Sequence, residues 1–189
     1  MSHEQTTSSY KTKIDNLSVA MRSLGTGELA ELRRMSDSDP GCATFWQLAT
    51  ECGFIDDVNQ IQVWMRIVKI MAILTPRGDR ASAPFVQNSS QRLGTVLCDG
   101  GDPKWVAGSR PLLSETRLMR FLSAPRADAL ERIARMLAAN SKSENGFDCA
   151  AIANLLLCPS NKKILREIAR SYYRRLDYPV LESKQKEPA

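Results

Sequence analysis

Apolar residues recur every three or four positions along most of the chain, the period of an amphipathic helix. In segment 15–24 they are Leu17, Met21 and Leu24; in 28–35, Leu29 and Leu32; in 44–52, Phe45, Leu48 and Ala49. Segment 57–74 carries the fullest stripe, with Ile61, Trp64, Met65, Val68, Met71 and Ala72. A short helix is expected at 88–97. Four more are expected at 114–124, 127–140, 148–157 and 161–176. No run alternates with the period of two that a half-buried strand needs, and no hairpin signal appears. The expected fold is all-α: two small helical bundles packed together, with no β-sheet. The division is expected near residues 100–113, with 1–100 as the N-terminal bundle and 101–189 as the C-terminal one.

Punctuation between the helices supports this reading. Gly25-Thr26-Gly27 breaks the first helix, and "SDSDPG" is a turn with Pro40 ready to open the next. Gly53 suits a C-terminal cap. Pro76, Pro125 and Pro159 stop helices. The stretches "PRGDRASAPFVQNSS" and "CDGGDPKWVAGSRP" are long loops that carry Arg77, Arg80, Lys104 and Arg110. Loops of this length are often functional. The final "LESKQKEPA" reads as a frayed tail, and no internal repeat is visible.

With 189 residues, 43% of them hydrophobic and 25% charged, the chain can bury a core of ordinary size. No apolar run is long enough to span a membrane, because the best one is interrupted by Gln62, Arg66 and Lys69. The polar opening "MSHEQTTSSYK" is not a secretory signal. A cytoplasmic location and no membrane partner are expected. Five scattered cysteines, Cys42, Cys52, Cys98, Cys149 and Cys158, form no C-x-x-C and are odd in number. Reduced, buried thiols are expected rather than disulfides or a zinc site.

Catalytic apparatus is hard to find. The single histidine is His3, in the polar terminus, so the usual general base and metal ligand are missing from the folded scaffold. Neither nucleotide-binding glycine motif occurs, and "GTG" at Gly25 follows a helix rather than a strand. Asp56 and Asp57 read as N-cap residues of the long apolar helix, and Glu115 and Glu131 also fall near helix starts. No enzyme activity, cofactor or metal is expected.

Charge adds the informative feature. Residues 1–100 hold 10 Lys+Arg against 11 Asp+Glu, whereas residues 101–189 hold 16 against 10. Most of the second set are Arg, the planar partner for phosphate. On the last helix, with Lys163 as zero, Arg166, Arg170 and Arg174 fall at about −60°, −20° and +20°. Ile164, Leu165, Ile168 and Tyr172 fall on the other side, between about 100° and 200°. The four cations make one stripe about 16 Å long, with only Glu167 at its margin. A relaxed solvated face would mix signs. Lys162 and Lys163 even stand at the helix N-terminus, where the dipole disfavours them. Further pairs recur as Arg33 with Arg34, Arg66 with Lys69, Arg117 with Arg120, and Arg132 with Arg135; Arg126 follows Pro125. Arg117 and Arg120 flank a packed face of Leu118, Phe121 and Leu122. No aromatic residues interleave these stripes, and Trp46, Trp64 and Trp105 read as packing or loop anchors. Backbone contact with little sequence preference and strong salt dependence is the implied mode.

The order of segments also carries a resemblance. It runs "GELAELRRM", "FWQLATECGF", "RIVKIMAIL", "SQRLGTVLCDGG", "SETRLMRFLSAPRADALERIARMLAA", "FDCAAIANLLLC" and "KKILREIARSYYRR". Over residues 25–176 this resembles the CasB small-subunit family of the type I-E CRISPR complex Cascade. The Leu-Arg-Arg after a Gly-rich break and the Ser-Glu-x-Arg-x-x-Arg helix are its most telling pieces. The resemblance implies a non-catalytic, all-α subunit of two helical bundles. It implies head-to-tail pairing of two copies beside the subunits that hold the CRISPR RNA. It also implies a basic surface that steadies the R-loop, its target and non-target DNA strands, and above all the displaced strand. On this reading Arg33 and Arg34 match the family's early Arg pair, and Arg117 and Arg120 its central helix. Lys163, Arg166, Arg170 and Arg174 fall in its basic final helix. The sequence before residue 14 and the loop at 76–90 depart from shorter relatives. From the residues alone, a helical protein–protein adaptor and a free-standing DNA-binding regulator stay open. The regulator would need a recognition helix, and Arg33 and Arg34 fall late in a short one.

Overall fold

The computed structural model describes the backbone of residues 2–36, 38–76, 84–106, 109–124, 127–140 and 146–185, with side chains between residues 10 and 177. The elements in order are α1 (Ser2–Ser23), α2 (Thr26–Arg34), α3 (Ala43–Glu51), α4 (Ile61–Leu74), α5 (Leu93–Asp99), α6 (Glu115–Ser123), α7 (Ala127–Asn140), α8 (Cys149–Leu157) and α9 (Lys162–Gln185). A 3-10 turn, Val58–Gln60, leads into α4. The fold is all-α, and among the described residues the only β-type pairing is an isolated bridge between Gln87 and Phe147. No described helix is long and apolar enough to cross a membrane.

Helix α4 is central because its sequence is apolar nearly all round. Nine of its 14 residues are buried, so it must be enclosed by other elements. It packs against α2 on one side and α7 on another, and also touches α1 and α8. Trp64 is fully buried and stacks on Phe54 at 4.6 Å between ring centroids, with the Tyr10 ring edge-on at 6.2 Å. Each such side chain contributes roughly 1.5–3 kcal/mol by leaving water. The buried cluster is continuous from Ile14 in α1 to Tyr172 in α9. Residue 100, the expected division, follows the last residue of α5, whose chief packing partner is α9.

The α5–α9 contact depends on one glycine. A Cβ at Gly94 would strike the carbonyl oxygen of Ile168 and the hydroxyl of Ser171. Only the bare glycine backbone allows the two helices this approach. Gly146 adopts φ +71° against the carbonyls of Phe85 and Val86. Next to it, Phe147 N donates to Val86 O at 2.8 Å, and Asn88 N donates to Phe147 O at 2.8 Å. Gln87 N donates to Ser18 Oγ at 2.9 Å, which ties this loop to α1.

Several expectations are corrected here. Helix α1 begins at Ser2 rather than near residue 15; its first turns lack the apolar stripe that marks a helix in sequence. Pro40 stands ahead of α3 rather than in its first turn, and Cys42 is the N-cap residue. Asp57 does not cap α4. Its carboxylate accepts from Lys13 Nζ at 2.7 Å and from Trp64 Nε1 at 2.9 Å, joining α1 to α4. Helix α9 continues past Leu176 through Pro179 to Gln185, so most of the expected tail lies within a helix. Residues 186–189 lie outside the described residues. The Gly53 cap occurs as expected, with φ +72° and Phe54 N donating to Ala49 O at 3.0 Å.

Candidate nucleic-acid interface

Helix α9 has two unlike sides. Asn161 starts it, its side-chain oxygen accepting from Lys163 N at 3.1 Å. Ile168, Ser171 and Tyr172 are buried against α5, and Tyr172 Oη donates to Leu113 O at 2.7 Å. Arg175 lies on the same side. Its Nε donates to the Asp99 carboxylate at 2.6 Å and its Nη2 to Asp102 O at 3.2 Å. With the core side held in this way, Lys163, Arg166, Arg170 and Arg174 are all exposed on the opposite face. Arg170 meets Glu167 at 3.7 Å, with both side chains largely in solvent, a contact of little energetic weight. The side chains of Lys163, Arg166 and Arg174 have no hydrogen bond or ion pair with a described residue. The stripe expected from sequence is therefore present, and its cations are available.

A second basic surface lies between α6 and α7. These consecutive helices turn to different partners, α6 to α9 and α7 to α4. A groove of about 610 Å³ opens elsewhere, between α1, α8 and α9, but Asp148 and Glu167 line it beside Lys11 and Lys163. The groove between α6 and α7, about 560 Å³, has Arg117, Arg120 and Arg132 on its walls and, among the described residues, no carboxylate. Its floor is Leu113, Phe121, Ile133 and Met136. Sequence reasoning placed Arg117 and Arg120 beside a packed face but did not join Arg132 to them. The i, i+3, i+4, i+7 spacing of Ala129, Arg132, Ile133 and Met136 was the available signal.

The N-terminal cations fare differently. Arg33 donates from Nε to Ala72 O at 2.8 Å and from Nη2 to Thr75 O at 3.0 Å. It closes the C-terminal end of α4, where carbonyls lack helical partners and the dipole favours a cation. Lys69 pairs with Glu131 at 3.1 Å, and Glu131 also takes Arg135 at 2.7 Å. Glu131 is thus a clamp between α4 and α7 rather than a helix-start residue. Burial opposes its ionisation, but the hydrogen bonds and charges of Arg135 and Lys69 together hold its carboxyl below the ordinary value of 4.5. Arg66 is half-buried and engaged within the chain. Arg34 is exposed at the end of α2. Arg126, like Arg77 and Arg80, lies outside the described residues.

The buried thiols are chemically quiet. All five cysteines are free, and Cys52, Cys98 and Cys149 are buried. Burial pushes the Cys52 thiol up to about 11 and that of Cys98 to about 12, far from the thiolate range at neutral pH. Among the described residues no group of three His, Cys, Asp or Glu side chains converges as a metal site.

Comparison with protein families finds a match. The family described as CRISPR-associated protein Cse2 matches residues 28–173, most of the chain. Comparison with curated proteins and with solved structures gives no match.

Proposed function

Since the chain belongs to the Cse2 (CasB) family, whose members are subunits of the CRISPR complex Cascade, we propose that it holds nucleic-acid backbone within that complex without reading sequence and without catalysis. Its role there is to stabilise the R-loop, and above all the displaced strand, during target recognition. Other Cascade subunits are its partners; contact with the CRISPR RNA and head-to-tail pairing of two copies belong to the proposal.

The observation that carries this reading is the outer face of α9, where Lys163, Arg166, Arg170 and Arg174 are exposed and nearly without counter-charge. Guanidinium groups form charge-assisted, paired hydrogen bonds to phosphate oxygens. Each phosphate neutralised releases condensed counterions, so affinity rises steeply as salt falls. Sequence is read by pairing with the guide, and the protein adds grip on the strands that pairing leaves unsupported. The residues proposed to do this are those of the α9 stripe, Arg117 and Arg120, and Arg34. Arg33 and Lys69 are engaged in holding α4.

Fluorescence anisotropy with single-stranded DNA, single-stranded RNA and duplex across a salt series tests the proposal. The wild type is compared with a variant carrying Arg166→Glu, Arg170→Glu and Arg174→Glu. Sequence-independent binding is expected, with a slope against log salt that falls by about two units in the variant. Equal binding by a variant whose helical circular dichroism is intact would overturn it. A negligible salt slope in the wild type would instead favour a protein-binding adaptor.

A further inference from the structure

The groove between α6 and α7 differs from the α9 face in having a floor. A track for phosphates alone needs only cations on a solvated surface, as on α9. Here Arg117, Arg120 and Arg132 stand over an apolar surface formed by Phe121, Ile133 and Met136. Phe121 and Ile133 are buried and Met136 is half-buried. Among the described residues, none of the three arginine side chains has a partner and no carboxylate lines the groove.

The occupant must therefore bring anionic groups and flat or apolar surface together, within a short span. The lining residues cover about two helical turns on each side, roughly 10 Å. A single-stranded nucleotide segment meets this description. Its phosphates suit the guanidinium rims, and an unstacked base presents a face to the floor or to a guanidinium plane. In an unpaired strand the base is already free of a partner, so little is lost in turning it inward. Resting on the backbone-binding reading above, we propose that the α6–α7 groove is a base-accepting pocket for single-stranded nucleic acid. The α9 face grips the strand by charge alone, whereas the groove takes in an unstacked base without regard to its identity.

The experiment uses the full chain and two fluorescent DNA strands of equal length and charge, one of thymidines and one of abasic spacers. Wild type is expected to bind the abasic strand about five- to tenfold more weakly, the low end of what a stacked base contributes. Ala129→Trp fills the groove while keeping every arginine; it should erase that difference and leave the salt slope unchanged. The α9 triple-Glu variant should bind both strands more weakly but keep their ratio. Equal wild-type affinity for the two strands, with a steep salt slope, overturns the pocket and leaves the backbone reading standing. A strand preference that survives in folded Ala129→Trp also overturns it. Binding of neither strand overturns both readings. Equal affinity together with displacement of DNA by an acidic, apolar peptide would reassign the groove to a protein partner.

Discussion

The outer face of α9 and the junction of α2, α4 and α7 are both rich in cations, yet the two sets have opposite fates. At the junction Arg33 closes the end of α4 and Lys69 meets Glu131. On α9 the side chains of Lys163, Arg166 and Arg174 are exposed and form no hydrogen bond or ion pair with a described residue. The same helix holds both kinds, since Arg175, next to Arg174, is turned inward to Asp99. The number of basic residues therefore says little about binding. What matters is whether folding supplies each one with a carboxylate or a carbonyl. Cations of the first kind should govern stability and leave binding alone, and those of the second kind the reverse.

The largest effect should come from Arg175→Met. It strands Asp99, whose side chain is only 5% exposed, and should cost about 3 kcal/mol in urea unfolding. Adding Asp99→Asn should recover part of that loss. Salt-dependent DNA binding by the folded protein should be unchanged in both; a lost salt slope would break the division between the two sets. Arg33→Ala removes two charge-assisted bonds to the end of α4 and should cost about 2 kcal/mol, again with the salt slope intact.

Glu131→Gln should cost about 1 kcal/mol at neutral pH, since the clamp is partly exposed. Its pH dependence has a definite sign. The folded carboxyl titrates below the ordinary value of 4.5, so its contribution is present above that value and lost as pH falls through and below it. Wild type and variant should converge in stability in acid; a gap that persisted there would show that packing, not charge, was lost. The smallest effect on folding belongs to the α9 triple-Glu variant. Its stability should change by less than about 0.5 kcal/mol although its binding collapses. A large loss of stability would place those arginines with the structural set.

What the sequence made legible follows from where the physics is local. Helix α7 occurs at the expected bounds because Leu130, Ile133, Ala134 and Leu137 form a clean stripe that must be buried. The α9 stripe was legible for the same reason, since a helical period alone separates its two sides. Helix α1 extends beyond its expected start because residues 2–9 have no such pattern. Arg33 and Arg34 are neighbours of identical chemistry, and a rotation of about 100° decides which reaches α4 and which reaches water. That decision depends on where α4 lies, information the local pattern does not hold. Asp57 looked like a cap because an acid preceded an apolar run, but Lys13, 44 residues away, claims its carboxylate. The α6–α7 groove was invisible for a related reason: it exists only because two adjacent helices pack on different partners.

The bare backbone contact at Gly94 has a consequence for how a strand is held. Where two helices touch without an intervening side chain, neither can slide or rotate without collision. The amides of α9 around Ile168 should exchange with solvent only when the whole domain opens. The four cations are thus mounted on a stiff rule, with about 6 Å between successive arginines. Little backbone freedom is left for the protein to lose on association, so the entropic cost of ordering falls on the nucleic acid and on the cationic side chains themselves.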